Sequence, residues 1–369
     1  MAPRASHSTP GPVDAGDSDR AAAEAGLVWI CDAEPGIRRQ RAGKGFCYRL
    51  PDTGSARGRV VRDAATLQRI RALAIPPAWT DVWICIRGNG HLQATGRDAR
   101  GRKQYRYHPD WQQARNAGKF DRIVEFGRAL PTLRRRLRAD LRPRGFPRNK
   151  VLAIVVSIMA DTLVRVGNDE YARDNHSYGL TTLRNRHVAF VRGGRARLSF
   201  RGKGGLAHDI AIGDARLVKL VRGCQELPGQ ALFQYRDDDG TVQPVDSGAV
   251  NAYLHEVIGD GFNAKDFRTW GGTFHAFRLF AQTPLPEGAQ DGPPSARSLA
   301  EAEKQVIAEV ARILGNTPAV CRKAYVDPAV PEGWRDGRLA SAAAGARGAR
   351  QWEQATLRFL RRARSGRKR

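Results

Sequence analysis

The chain has 369 residues, 41% of them hydrophobic, and a formal net charge of +25. That length suits two or so domains with ordinary cores, and so large a positive excess points to a polyanionic partner, of which DNA or RNA is the usual one. Five scattered cysteines (Cys31, Cys47, Cys85, Cys224, Cys321) without a CxxC pair argue against a zinc or disulfide framework and fit a reducing compartment, while no run approaches the roughly 18 apolar residues of a membrane span and no signal-peptide core opens the chain.

Residues 1–25 are rich in Pro, Ser, Ala, Gly and Asp without periodicity, which predicts a disordered leader. A small, mainly β domain is expected over 26–113. Strand-like runs at Phe46–Leu50, Val82–Ile86 and His91–Thr95 are bounded by Pro or Gly turns, and a short helix over Ala64–Leu73 ends at Ile75-Pro76-Pro77. Gly96–Tyr107 follows as a basic segment interleaving five Lys/Arg with Gln104, Tyr105 and Tyr107. Arg102 and Lys103 suit phosphates there, whereas Gln104, Tyr105 and Tyr107 suit base edges. Alternatively, the segment is a solvated basic loop.

From residue 114 to 334 the pattern is largely helical. Phe120–Leu130 and Leu133–Leu141 carry spaced apolar residues among arginines, and Val151–Val164 reads as a buried helix with Leu152, Val155, Met159 and Leu163 on one face. A β-hairpin is expected from Arg195–Phe200 and Ala207–Ile212 around Gly202-Lys203-Gly204-Gly205, then helices over Val250–Ile258 and Phe274–Phe280. Asp237-Asp238-Asp239-Gly240 reads as a hairpin turn. After a Pro/Gly-rich loop at 283–295, Ser298 with Glu301 predicts a capping box opening a helix that Gly315 ends. Thr317-Pro318 opens the next. Residues 335–369 carry eleven Lys/Arg against two acidic residues, a basic tail with an amphipathic helix over Trp352–Arg362 and disorder from Ser365.

Five residues stand in an informative order: Arg165, Lys203, Arg268, Asn316, Tyr325. Breaking and rejoining a phosphodiester requires an oxygen nucleophile, charge on the phosphoryl oxygens and an acid for the leaving oxygen. Guanidinium groups are fixed, bidentate charge clamps. A tyrosine forms an ester that conserves the bond energy, and a lysine among cations can act as the acid. Taken singly, Arg165 reads as a helix cap, Lys203 as a turn residue, Arg268 as a partner of Asp266 and Tyr325 as a packing residue. Together they outline a site. His275-Ala276-Phe277-Arg278 reads as helix packing plus a surface charge.

The chain resembles the type IB DNA topoisomerases of the small poxviral and bacterial kind. The resemblance rests on Ile75–Ile84, on Gly90–Asp98 with Gly101–His108, on Ser177–Leu183, on Lys265–Thr269 and on Asn316–Tyr325, in family order between Trp29 and Pro331. It implies that Tyr325 is the nucleophile joined to a DNA 3′-phosphate, that Arg165 and Arg268 hold the non-bridging oxygens, and that Lys203 protonates the leaving 5′-oxygen, assisted by Lys265. Asn316 stands where the poxviral enzymes have histidine, and the matching Gln-Tyr-x-Tyr positions, here Gln104, Tyr105 and Tyr107, touch DNA in that family. The implied fold is α+β: a small antiparallel β-rich N-terminal domain and a mainly α-helical catalytic domain with a small hairpin sheet, forming a C-shaped clamp. The implied partner is duplex DNA, bound by a monomer without metal or small-molecule cofactor, in the cytoplasm with the nucleoid. The rival readings are a tyrosine recombinase, which uses the same chemistry within a multimer, and a non-enzymatic DNA-binding protein built on this fold.

Overall fold

The structure is a computed structural model that describes residues 15–43, 45–52, 58–99, 101–237, 239–287, 292 and 294–367. The fold is α+β, and the chain divides into two compact units, 1–119 and 120–369. The division falls inside a long helix.

The first unit is built on a five-stranded antiparallel sheet. Its strands are β1 (Ile37–Ala42), β2 (Gly45–Arg49), β3 (Thr80–Ile84), β4 (Leu92–Arg97) and β5 (Lys103–Tyr107), in the order β2-β1-β3-β4-β5. Alternation along β3 sends Val82 and Ile84 to one face, where they pack with Ile37, Ala94 and Ile70 of the helix α2 (Ala64–Ala72). Trp83 points to the other face, against Ile30, Cys85 and Leu92. A register shift between Leu92 and Ala94 lets β4 serve both clusters.

The segment 96–107 is therefore no loop: its second half is the edge strand β5, paired to β4 from Arg97↔Lys103 to Leu92↔Tyr107. The leader also differs from expectation. Residues 1–14 lie outside the described residues, but Ala15–Glu24 form the helix α1, and Ala22 is buried with Leu27 and Trp111. Three consecutive alanines favour helix once one face has an apolar surface to cover.

The second unit is mainly helical. The helix α3 (Pro109–Asp140) runs straight through Pro131. A proline removes one backbone bond, but its φ is compatible with helix, and Phe126, Leu130, Leu133 and Leu137 are buried on both sides of it. The apolar α4 (Arg148–Thr162) is buried along most of its length. Packed around it are α6 (Ala215–Gln225), α7 (Ser247–Ile258), α8 (Ala264–Gln282) and the antiparallel sheet β6 (Val188–Val191), β7 (Arg195–Arg201), β8 (Ala207–Ile212). Between α4 and the sheet, α5 spans Asp169–Asn175. The expected hairpin turn at 237–240 joins β9 (Gln234–Arg236) to β10 (Val242–Pro244), with Asp238 outside the described residues.

The remaining helices are α9 (Ala296–Leu314), α10 (Pro318–Ala324), α11 (Ala329–Arg335), α12 (Arg338–Ala343) and α13 (Ala349–Arg367). Ser295, not Ser298, caps α9: its hydroxyl accepts the backbone N–H of Ser298 at 3.0 Å. The last 30 or so residues are no loose tail. α13 continues through Ser365 to Arg367 and buries Ala355, Phe359 and Leu360 in the main core, because its apolar residues share one face as strongly as its arginines share the other.

Candidate active site

The site begins where two helices stop. α4 ends on Leu163 in a left-handed conformation (φ 57°), and α9 ends on Gly315 in the same region (φ 60°). Left-handed backbone reverses the chain, so the residues that follow, Arg165 and Asn316, turn back across the helix ends. Their side chains meet: Arg165 Nη2 donates to Asn316 Oδ1 at 2.8 Å.

Arg268, on α8, ties the two ends together. Its Nη1 donates to Leu163 O, and its Nη2 donates to Leu314 O at 2.7 Å. One buried guanidinium thus closes the carbonyl ends of both helices, where a cation is favoured. The pairing to Asp266 weighed from sequence does not form. Asp266 instead accepts the backbone N–H of Asn263 at 2.8 Å in a capping box that starts α8.

Tyr325 ends α10, is largely buried, and lies with its ring 5.0 Å from Arg268 Cζ. α8 can approach it closely only because it carries Gly271 and Gly272. A methyl group at Gly272 would stand 2.7 Å from Tyr325 O, and one at Gly271 would stand 2.5 Å from the Leu163 side chain. Thr273 Oγ1 donates to Tyr325 O at 3.1 Å. Glu303 of α9, fully buried, forms ion pairs with Arg322 of α10 and Arg335 of α11, fixing the helix that presents the tyrosine.

Burial opposes ionisation of Tyr325, yet the charge of Arg268 and its hydrogen bond, with Arg165 and Lys265 behind them, hold the phenol below its ordinary value. Lys265 is exposed at the start of α8 and acts by charge. Burial, then the neighbouring Arg165, push the Arg268 pKa down. Among the described residues neither arginine has a carboxylate partner. Two donors in the cluster, Arg268 Nε and Asn316 Nδ2, are buried without an acceptor among the described residues. Buried donors without acceptors beside unpaired cations make a receptor for an oxyanion.

Lys203 stands apart from this cluster. It begins a short 3-10 turn at the tip of the β7–β8 hairpin, is exposed, and among the described residues carries no ion pair. The hairpin is held at its base. A methyl group at Gly202 would stand 2.5 Å from the His208 ring and one at Gly315 2.7 Å from it, so His208 fills the space between the residues preceding Lys203 and Asn316. Burial, then Arg165 and Arg268, lower its pKa, favouring the neutral ring. The Ser177–Leu183 motif buttresses Arg165 by backbone: Leu180 N donates to Arg165 O at 3.0 Å and Thr181 N to Val166 O at 2.7 Å.

Of the residues singled out from sequence, the structure gathers Arg165, Arg268, Asn316 and Tyr325, with Lys265 within electrostatic reach. His275 is half-buried against Phe274 and Arg278 is exposed. His208, Gly272, Thr273 and Glu303 went unnoticed. Only the glycine pair Gly271-Gly272 inside a helical pattern carried a signal, that of close approach by a neighbour. Among the described residues no three His, Cys, Asp or Glu side chains converge as metal donors.

In the first unit, alternation along β5 puts Lys103, Tyr105 and Tyr107 on one face, the two tyrosine rings stacked at 6.0 Å, and turns Gln104 to the other. Carboxylates hold the polar members: Lys103 Nζ lies 2.6 Å from Asp32, Arg102 lies 2.6 Å from Asp98, and Gln104 Nε2 donates to Asp98 at 3.0 Å. Burial of Asp32 opposes its charge, but hydrogen bonds from Lys103 and Thr95 outweigh it and keep the carboxyl below its usual value.

Two family models match the chain: "Eukaryotic DNA topoisomerase I, catalytic core" over residues 108–330, and "Bacterial DNA topoisomerase IB, N-terminal domain" over 45–98. Among relatives, DNA topoisomerase 1B of Acanthamoeba polyphaga mimivirus is 34% identical over 298 residues, covering 79% of this chain and 85% of that protein. DNA topoisomerase 1B of vaccinia virus (strain Copenhagen) is 26% identical over 249 residues, covering 65% of this chain and 72% of its own. The rabbit fibroma virus DNA topoisomerase 1 is 25% identical over 285 residues, covering 72% and 81%. The chain belongs to the type IB DNA topoisomerases.

Proposed function

We propose that this type IB topoisomerase relaxes duplex DNA of either supercoil sign through a transient 3′-phosphotyrosyl link at Tyr325. The observation that carries the assignment is the Tyr325 ring set 5.0 Å from Arg268 Cζ, in a cluster where, among the described residues, Arg165 and Arg268 have no carboxylate partner and two buried donors have no acceptor.

Tyr325 Oη loses its proton to water and attacks the phosphorus, forming the Tyr325–phosphate bond as the bond to the 5′-oxygen breaks. Arg165 and Arg268 balance the charge on the non-bridging oxygens, and Asn316 Nδ2 adds a neutral hydrogen bond there. Such a donor is worth about 2.7–4 kcal/mol in the transition state. Lys203 gives a proton to the leaving 5′-oxygen, the hairpin bringing it to the phosphate on the DNA side, with Lys265 assisting. The free 5′ end swivels, and the 5′-hydroxyl then attacks phosphorus and releases Tyr325. No step uses a metal or ATP. All the groups come from one chain, which supports action as a monomer.

On the first unit, phosphates displace Asp32 from Lys103 and Asp98 from Arg102, and Gln104, Tyr105 and Tyr107 meet base edges and sugars. The net charge of +25 and five free cysteines support a cytoplasmic, nucleoid-associated enzyme. The deciding test is relaxation of positively and negatively supercoiled plasmid in EDTA without ATP. Failure on both, with binding intact, would leave a DNA-binding protein.

Two further outcomes follow from the geometry. The cleavage rate is expected to rise with pH and level off below the free-phenol value of about 10, since cations lower the Tyr325 pKa. Lys265→Gln should move that limb upward, and a downward shift would contradict the electrostatics. Gly272→Ala should slow cleavage by roughly 10- to 100-fold through displacement of Tyr325, although alanine is the better helix former by about 1 kcal/mol. Single-turnover cleavage with a parallel affinity measurement separates the two effects.

A further inference from the structure

Residues 331–369 lie beyond both matched regions, and their basic character alone suggests an arm for DNA. The structure shows a different use for part of it. α13 packs Phe359 against Phe277 of α8, centroids 5.5 Å apart, and near its end Arg364 turns inward. Arg364 Nη2 donates to Phe120 O at 2.7 Å, its Nε to Asp121 Oδ1 at 3.1 Å and its Nη1 to Leu360 O at 3.1 Å. Nη2 also pairs with Asp327 Oδ2.

Asp327 is two residues past Tyr325 and 1% exposed. Its other oxygen accepts the Ala329 N–H at 3.0 Å, starting α11, and its own N–H donates to Thr273 Oγ1 at 3.2 Å. Thr273, 0% exposed, passes its hydroxyl hydrogen to Tyr325 O at 3.1 Å. An unbroken polar path therefore leads from the C-terminal helix to the backbone of Tyr325.

We propose that α13 is a positioning element for Tyr325, with Arg364 acting through Asp327 and Thr273 to fix the angle at which the phenol meets the phosphate. This rests on Tyr325 as the nucleophile. All three nitrogens of the Arg364 guanidinium bond within the protein, using four of its five N–H groups, so its charge and most of its donors are spent on this chain and not on a DNA phosphate. Asp327, buried, holds the start of α11 through its carboxylate and meets the threonine that fixes the tyrosine backbone through its own N–H. A helix whose arginines served only DNA would have no reason to turn one of them inward. Arg358 and Arg361 of α13, by contrast, are exposed.

The test uses the full chain and a duplex that traps the covalent adduct, with adduct rate and duplex affinity measured for Arg364→Ala, Arg364→Lys, Thr273→Val and Arg361→Ala. Arg364→Ala is expected to slow adduct formation by roughly 10- to 100-fold, the effect of misplacing a reacting group by about 1 Å, with affinity unchanged. Thr273→Val should do the same, the two effects should fail to add because they share one path, and Arg364→Lys should recover part of the rate. Arg361→Ala should leave the rate unchanged. If Arg364→Ala does not fold, Arg364→Lys and Thr273→Val carry the test, since both keep the packing. The proposal is overturned if these variants cleave at the wild-type rate, or if Arg364→Ala loses rate only in step with affinity. Adduct formation by Tyr325→Phe would instead remove the nucleophile assignment, whatever Arg364 does.

Discussion

Tyr325→Phe is expected to abolish the covalent adduct and plasmid relaxation, a loss on the order of 10⁶-fold, the size typical of deleting a nucleophile. The ring that Arg268 covers at 5.0 Å is retained, as is the van der Waals packing of a residue only 8% exposed. What disappears is one oxygen and the negative charge it can carry. Backbone contacts are also kept, because Thr273 and Gly272 meet the Tyr325 carbonyl rather than the phenol. DNA affinity should therefore stay close to wild type, and its salt slope, about 0.9 per phosphate neutralised, should not change. Adduct trapped by detergent on radiolabelled duplex reads the first effect, and a salt titration of binding reads the second. Relaxation by Tyr325→Phe at any rate above background would place the nucleophile elsewhere.

Much of this site could be read from the chain because its parts sit at punctuation marks. Gly315 and Thr317-Pro318 announce a helix end and a helix start, which bracket Asn316. The apolar run from Val151 announces a buried helix, so the arginine after it had to stand at an end. The spatial partners carry no such marks. Nothing in the spacing of Arg268 shows that it caps two helices 105 and 46 residues away in sequence. Only Phe274–Phe280 was expected to be helical, whereas α8 starts at Ala264 and carries Gly271-Gly272 within it. In fact the glycines are the reason α8 lies close enough to Tyr325 to matter.

Elsewhere too a local sequence rule is overruled by packing. Phe120–Leu130 and Leu133–Leu141 were expected as separate runs, but a continuous apolar face joins them in one helix through Pro131. Ser298 with Glu301 looked like a cap, but Ser295, three residues earlier, provides it. The basic C-terminal end was read by its charge, whereas the buried side chains of α13 decide where it goes. His208 shows the limit of sequence reading most plainly, since its importance comes from filling a gap between two glycines 113 residues apart in sequence (202 and 315).

Arg268→Ala should lower the cleavage rate by about 10³- to 10⁵-fold, the range seen when a guanidinium leaves a phosphoryl-transfer site. Two losses contribute and differ in kind. The carbonyls of Leu163 and Leu314 lose their donor, a stability cost of about 1–3 kcal/mol for each buried unsatisfied group. The transition state loses its charge clamp, which at tenfold per 1.36 kcal/mol amounts to about 4–7 kcal/mol. The stability loss shows in unfolding and the transition-state loss in single-turnover cleavage, so the folded, DNA-bound variant should still cleave very slowly. Arg268→Lys separates the terms further. It keeps a positive charge near Tyr325, but one ammonium cannot span two helix ends and a phosphate as a planar fork does, so most of the defect should persist. An Arg268→Lys enzyme with near wild-type cleavage would mean that charge alone matters. The two carbonyl bonds would then be packing detail, not the device that aligns Arg165, Asn316 and Tyr325.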